Sequence, residues 1–187
     1  MKEKRVPGTT MPYAGEEGMF ALFRPLIKAT NGLTLGQVCA VTGLEPSTVQ
    51  NWIKRGFVAR PVEKKYFERQ LARILLISAL RDSMRIEQIG ALMARVNGDA
   101  NSESDDIITE EALYDHLCEL IRRRDEEATP LEAVPELVCQ VTRDYSPPTP
   151  DAANRLRAAL TVMVYAYTAG EYKREAERCF YAMGENP

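Results

Sequence analysis

The chain has little of the chemistry on which metal and catalytic sites depend. Its 187 residues include one histidine, His116, and its cysteines form no C-x-x-C pair. Zinc sites and disulfide frameworks are recognised by such spacings, so we expect neither a metal site nor a disulfide. We expect the cysteines to be reduced core residues. They are Cys39, Cys118, Cys139 and Cys179.

The usual signals of an enzyme are also missing. There is no glycine-rich phosphate loop and no nucleophile with a base at motif spacing. A lone histidine such as His116 is more often a boundary residue than a ligand or a catalytic base. The sequence therefore predicts a protein that is not an enzyme, and it indicates no cofactor.

Long apolar runs are absent as well. The most apolar segment, residues 158–170, would span about 20 Å as a helix, which is short of a bilayer core. No signal peptide is recognisable. We therefore expect a cytoplasmic protein with no membrane partner.

Charge is unevenly distributed along the chain. Hydrophobic residues make up 45% of the sequence, enough for an ordinary globular core, and the net charge is -3. Residues 1–98 hold 15 Lys and Arg against 8 Asp and Glu, whereas residues 99–187 hold 9 against 19. A basic front and an acidic back are typical of a protein that offers one face to a polyanion, although chance segregation would give the same pattern.

Residues 34–55 have the pattern of a helix-turn-helix. Thr34 can cap a first helix with apolar residues at helical spacing, and Gly43 suits the sharp turn that follows. Pro46 suits the first turn of a second helix, which Gly56 ends. Val49 and Trp52 recur on the core side of that second helix.

The opposite face of the second helix, residues 46–55, carries side chains of the kinds that bind DNA. Amides and hydroxyls bond base edges, whereas Lys and Arg bond phosphates. The predicted base-reading residues are Ser47, Thr48, Gln50 and Asn51. The predicted phosphate contacts are Lys54 and Arg55 on the helix and Arg60, Lys64 and Lys65 in a short basic wing. We expect the ring of Tyr66 to anchor this wing against the core.

The order of these residues resembles the DNA-binding domain of the MerR family and excisionase-like members of the same superfamily. The matching residues are Leu35, Val38, Thr42, Gly43, Thr48, Val49, Trp52, Gly56, Lys65 and Tyr66. The whole chain also looks like an uncharacterised bacterial family related to that superfamily. The resemblance implies an all-α fold with a minimal wing: a MerR-like winged helix-turn-helix followed by a C-terminal helical module.

The pattern divides the chain into four regions. These are an N-terminal arm with little fixed structure and a short helix (1–32), the winged helix-turn-helix (33–98), an acidic linker (99–109) and a C-terminal dimerisation or sensing module (110–187). Further helices are predicted over residues 19–28, 67–81, 86–97, 113–124, 131–145 and 152–183, the last one continuous or bent near Gly170.

The leading interpretation is a sequence-specific DNA-binding protein, a transcriptional regulator that reads the major groove of double-stranded DNA with helix 46–55. We expect a homodimer formed through the C-terminal helices. Four residues, Met163, Tyr165, Tyr167 and Tyr172, could line a pocket for a small-molecule effector or form plain core or dimer interface.

The alternative to a DNA-binding protein is a winged-helix protein-protein interaction module without DNA binding. Two features keep that alternative open. MerR proteins usually carry Arg-Tyr where this chain has Gln50 and Asn51, and residues 99–187 are acidic.

Overall fold

The computed structural model of the chain describes residues 5–12, 18–98, 100 and 105–184. Its α-helices are α1 (Arg24–Ala29), α2 (Leu35–Thr42), α3 (Pro46–Lys54), α4 (Glu68–Leu80), α5 (Ile86–Asn97), α6 (Glu110–Glu126), α7 (Val134–Val141) and α8 (Ala152–Gly184). Two 3-10 turns, Met19–Leu22 and Leu131–Ala133, precede α1 and α7. Extended pairing within the described residues is limited to isolated antiparallel bridges. The prediction of an all-α fold is confirmed.

Helix α4 is the centre of the fold. Ten of its thirteen residues are buried, which explains why its apolar residues cover more than one face of the helix. It packs against α2 and α5 from the first half of the chain and against α6 and α8 from the second half. The predicted regions 33–98 and 110–187 therefore share one hydrophobic core and are not separate packing units.

The N-terminal segment is the largest departure from the predicted structure. We predicted an arm with little fixed structure, yet residues 5–12 are folded against the body. The backbone N–H of Thr10 donates to the carbonyl of Val41 in the last turn of α2 at 3.0 Å. The hydroxyl of Tyr114 in α6 donates to the carbonyl of Pro7 at 2.7 Å. Residues 1–4 and 13–17 of the predicted arm lie outside the described part of the chain.

Several helix limits differ from the predicted ones for local reasons. Pro25 lies in the first turn of α1, so the predicted helix 19–28 is divided into a 3-10 turn and a short α-helix. Helix α7 ends at Val141, before the predicted end at residue 145. Helix α8 runs through Gly170 without a break, and a Cβ there would lie 3.2 Å from the Cβ of Asp82. The absence of a side chain at Gly170 therefore allows α8 to pack closely against Asp82. Residues 99 and 101–104 of the acidic linker are not described.

The prediction that all four cysteines are core residues is wrong for two of them. Cys118 is buried and Cys39 is half-buried, whereas Cys139 and Cys179 are exposed. Burial raises the pKa of the Cys118 thiol, which keeps it protonated and unreactive. The two exposed cysteines lie on α7 and α8, where apolar spacing alone did not distinguish the inner from the outer face.

A buried cluster of ion pairs joins α4 to the start of α6. Nη1 of Arg73 lies 3.0 Å from Oε1 of Glu110, and both side chains are almost fully buried. Nε of Arg73 also donates to the carbonyl of Phe57 at 2.7 Å. Arg69 bonds Glu110 at 3.1 Å and pairs with Asp106 at 3.4 Å. Burial lowers the pKa of the Arg73 guanidinium, and the neighbouring Glu110 opposes that shift.

Removing one member of this cluster should be costly. We expect Glu110→Ala to lower the free energy of unfolding by about 3–5 kcal/mol, because it leaves the Arg73 cation buried without its carboxylate. Glu111→Ala, the next residue on the same helix, should change it by no more than about 0.5 kcal/mol. Urea unfolding followed by circular dichroism measures both. Equal losses in the two variants would contradict a stabilising role for the Arg73 and Glu110 pair.

Candidate nucleic-acid interface

Helix α2 and its turn set the position of α3. The side chain of Thr34 accepts the backbone N–H of Gln37, and the side chain of Gln37 accepts the N–H of Thr34, which closes the start of α2 as a capping box. At the other end Gly43 has φ +69° and donates its N–H to the carbonyl of Cys39 at 2.8 Å. A left-handed residue at this position favours glycine. The chain then turns over the buried Leu44 into α3.

Helix α3 has a buried face and an open face. Val49 is fully buried and Trp52 is 6% exposed, so these two side chains fix the helix to the core. The predicted DNA-binding residues on the open face are exposed side by side, and they are Ser47, Gln50, Asn51 and Lys54. The rigid helix therefore presents two amides, a hydroxyl and an ammonium group to solvent together.

Thr48 is placed differently from the other predicted base-reading residues. It is half-buried and lies at a cleft of about 500 Å³ between α3 and the start of α5. The cleft is also lined by Trp52, Arg81 and Arg85. Thr48 thus borders the exposed face of α3 without standing at its centre.

Arg55 is engaged within the protein. Its Nη2 lies 2.5 Å from a carboxylate oxygen of Glu87 in the first turn of α5, and its guanidinium lies 4.9 Å from the centre of the Phe57 ring. The pKa of Glu87 is lowered by a hydrogen bond from its own backbone N–H and by the bond from Arg55. The predicted phosphate contact of Arg55 would require this partly exposed pair to open.

The wing is a hairpin with a two-residue turn. The backbones of Val62 and Lys65 exchange two hydrogen bonds of 3.0 and 2.8 Å. Between them Glu63 and Lys64 have φ values of +48° and +64°, the signs of a type I′ turn. Tyr66 is 3% exposed, and its backbone exchanges two 2.8 Å hydrogen bonds with Leu33 just before α2. The hairpin is thereby joined to the base of the helix-turn-helix.

The cations of the wing divide into two kinds. Lys65 is half-buried, and its Nζ donates to the carbonyls of Thr30 and Gly32 at 3.2 Å each. This ammonium closes the turn after α1 and is already bonded, so we assign Lys65 a structural part in place of the predicted phosphate contact. Arg60 and Lys64 are exposed, and their phosphate contacts stay predictions.

Two residues beside α3 were not predicted from the sequence. Arg81 and Arg85 are exposed and lie at the same cleft as Thr48. They follow α4 along the chain, a whole helix away from α3, so only the folded structure brings them to the same cleft. The excess of basic residues before residue 98 was the signal that could have pointed to them.

The predicted effector residues do not gather around one cavity. Met163 is fully buried and Tyr172 is 71% exposed, so they lie on opposite sides of α8. A groove of about 720 Å³ does lie between α5 and α8, and its lining includes Leu92, Arg95 and Ala158 but none of the four predicted residues.

Within the described chain, no group of His, Cys, Asp and Glu is arranged to hold a metal ion. Among the described helices, none has the length and apolarity of a membrane span.

Comparison with known proteins finds similarity to a family without an assigned activity. Residues 31–117 match the model of a domain of unknown function, DUF1836, from the loop before α2 into α6. The match therefore includes the helix-turn-helix, the wing and the Arg73 and Glu110 pair. The chain is also similar to "Uncharacterized protein YkrK" of Bacillus subtilis (strain 168), with 31% identity over 85 residues that cover 43% of this chain and 36% of that protein. No solved structure matches the chain.

The two lysines at the wing should differ in their effect on stability. Lys65→Ala removes two charge-assisted hydrogen bonds to carbonyls and should lower the free energy of unfolding by about 1–3 kcal/mol. Lys64→Ala removes an exposed side chain at the turn and should change it by no more than about 0.5 kcal/mol. Urea unfolding compares the two variants. A larger effect of Lys64→Ala than of Lys65→Ala would show that the two residues have been assigned the wrong parts.

Proposed function

We propose that this protein is a sequence-specific DNA-binding protein that regulates transcription, with α3 reading the major groove. The observation that carries the proposal is the open face of α3. Its amides, Gln50 and Asn51, stand exposed beside Ser47 and Lys54 on a helix that Val49 and Trp52 hold rigidly against the core. Amides can bond an adenine bidentately, and an α-helix fits the width of the major groove.

The charge around α3 supports a polyanionic partner. Exposed cations lie on α3, in the wing region and at the cleft with α5, and they are Lys54, Arg60, Lys64, Arg81 and Arg85. Phosphate contacts of this kind position a protein on the duplex and contribute affinity without reading sequence. Because Arg55 and Lys65 are bonded within the protein, we propose that the phosphate contacts come from the exposed set.

The proposal includes a MerR-like arrangement and a homodimer. A capped helix, a glycine turn, a second helix and a hairpin follow one another here, which is the order that the resemblance to that superfamily implies. One short recognition helix contacts few base pairs, and proteins of this kind commonly reach useful specificity by binding two half-sites as a dimer.

A protein-docking role for the same surface is the second candidate. It is favoured by the engagement of Arg55 with Glu87 and of Lys65 with backbone carbonyls, because both reduce the number of cations that can meet phosphates. In that case the exposed amides of α3 would bond another protein. The two candidates differ in whether duplex DNA binds, and in how binding depends on salt.

Base reading by α3 can be tested with single substitutions. A preferred duplex is first selected from a randomised library. On that duplex, Gln50→Ala or Asn51→Ala should each weaken binding by about 1–3 kcal/mol, because each removes a side chain that contacts base edges. Random duplex should be bound nearly as well as before. Fluorescence anisotropy measures both affinities, with Gln140→Ala on α7 as an exposed amide control.

If Gln50→Ala and Asn51→Ala weaken binding to the selected and the random duplex equally, these residues do not read bases. If no duplex is enriched in the selection and random DNA does not bind at low salt, DNA binding itself is wrong and the protein-docking role takes its place.

The phosphate contacts of the wing have a separate signature in salt. Removing one phosphate contact should reduce the steepness of log K against log salt concentration by roughly 0.9, because fewer counterions are released on binding. We expect this reduction for Lys64→Ala and no change of slope for Lys65→Ala, whose ammonium is bonded to carbonyls. Titrations from low to moderate salt measure the slopes. A flatter slope for Lys65→Ala alone would reverse the two assignments.

A further inference from the structure

A small polar pocket lies where the N-terminal segment, the ends of α2 and α4 and the middle of α8 meet. Its volume is about 280 Å³, which is small for a ligand pocket. Its charged lining residues are three arginines and one aspartate, so the lining carries a net charge of +2. They are Arg5, Arg81, Arg174 and Asp82. We call this site the arginine pocket.

The N-terminal segment forms one wall of the arginine pocket and is seated tightly on α4. The segment turns between Val6 and Thr9, and the backbone N–H of Thr9 donates to the carbonyl of Val6 at 3.0 Å. Gly8 in this turn has φ +74°, and a Cβ there would collide with the carbonyl of Leu75 in α4. Only a glycine allows the backbone to approach α4 so closely. Arg5 belongs to the same folded segment and is thereby held at the pocket.

Two of the three arginines have no carboxylate partner. Among the described residues Arg5 and Arg81 make no ion pair, whereas Arg174 is paired with Asp82. The guanidinium of Arg174 also lies 6.0 Å from the centre of the Tyr167 ring. A concave site lined mainly by charges of one sign concentrates its field and attracts the opposite charge. The arginine pocket is therefore suited to an anion.

The helix ends beside the pocket are closed without these cations. Carbonyls in the last turn of a helix lack intrahelical partners and attract donors. At the end of α2 the backbone N–H of Thr10 donates to the carbonyl of Val41 at 3.0 Å. At the end of α4 the N–H of Met84 donates to the carbonyl of Leu80 at 3.0 Å.

The lining also supplies hydroxyl donors. The hydroxyls of Thr9, Thr10 and Thr42 donate to backbone carbonyls. Within the described chain the hydroxyls of Ser78 and Tyr167 make no hydrogen bond, although Tyr167 is only 7% exposed and a buried tyrosine hydroxyl ordinarily has a partner. Burial raises the pKa of the Tyr167 hydroxyl, which keeps it protonated and able to donate.

We infer that the arginine pocket binds a small phosphate dianion, either inorganic phosphate or the phosphate group of a short monoester. Such a group carries a charge of about -2 at pH 7, which matches the net charge of the lining. Guanidinium groups bond phosphate oxygens through paired N–H donors. Arg5 and Arg81 supply unpaired guanidinium groups, and the hydroxyls of Ser78 and Tyr167 add neutral donors. The small volume limits the ligand to a few atoms beyond the phosphate.

The backbone of DNA is another source of phosphate, and the pocket fits it less well. Arg81 and Asp82 line both the arginine pocket and the cleft beside α3. A backbone phosphate carries one charge and is joined to the duplex on both sides, so it meets exposed cations at the surface. The buried lining residues Thr42 and Tyr167 lie below that level. We therefore assign the pocket to a free dianion.

Calorimetric titration of the full chain without DNA tests this assignment. At constant ionic strength, inorganic phosphate or glycerol 3-phosphate should bind saturably with a dissociation constant below about 1 mM. Dimethyl phosphate, which has the single charge of a DNA phosphate, should bind at least about 10-fold more weakly. Failure of both dianions to bind saturably up to about 10 mM overturns the inference. Equally tight binding of dimethyl phosphate also overturns it and assigns the pocket to DNA.

Matched variants place the binding in the arginine pocket. Arg5→Gln and Arg81→Gln should each weaken binding of the dianion by about 10-fold or more, because each removes charge-assisted hydrogen bonds. Arg143→Gln, at an exposed arginine just after α7, should leave it nearly unchanged. Tyr167→Phe keeps the ring and removes only the hydroxyl, and it should weaken binding by about 5-fold. Tyr165→Phe, outside the pocket, is its control.

This inference goes beyond the proposed function, and its measurements involve no DNA. Circular dichroism confirms that each variant is folded. Binding that survives in both Arg5→Gln and Arg81→Gln, or that falls equally in Arg143→Gln, overturns the site. Equal effects of Tyr167→Phe and Tyr165→Phe overturn the part assigned to the Tyr167 hydroxyl. Base reading by α3 is measured separately, so its failure would leave these results unaffected.

Discussion

The guanidinium of Arg73 is almost fully buried, and a buried cation needs partners from several directions. Glu110 supplies a carboxylate from α6, and Phe57 supplies a carbonyl from the segment that follows α3. Because an unpaired charge at this depth would be costly, α4, the segment after α3 and the start of α6 have to come together. The surface of α3 is held in place by a network that includes the second half of the chain.

This arrangement explains why the helix-turn-helix was predictable and its surroundings were not. The caps and the turn depend on residues close in sequence, such as Thr34, Gln37 and Gly43, and their patterns are specific. The open face of α3 followed from helical spacing alone. The parts played by Arg55 and Lys65 depend on neighbours found thirty or more residues away, and the pairing of Arg55 with Glu87 has no local signal.

The N-terminal segment was mistaken for a similar reason. Glycine, proline and scattered charges without a period are typical of unstructured arms. The segment is nevertheless held by hydrogen bonds between its backbone and groups of α2 and α6, among them the hydroxyl of Tyr114. Backbone groups carry no sequence signature, so composition cannot reveal such contacts. The apolar residues Val162, Tyr165 and Tyr172 on α8 show the converse. Their helical spacing is visible in the sequence, but only the structure reveals that the core leaves them exposed.

The two-residue turn of the wing has a consequence for how proteins of this kind can diverge. Both turn residues, Glu63 and Lys64, adopt left-handed backbone conformations, which β-branched side chains tolerate poorly and glycine or asparagine accept. A hairpin this tight cannot gain or lose one residue without changing its turn type and the register of Val62 and Lys65. Insertions at the wing are therefore strongly restricted, whereas the exposed positions of α3 can be exchanged singly without altering the backbone. Substitutions along α3 would change the groups on its open face, while the wing stays constant in length.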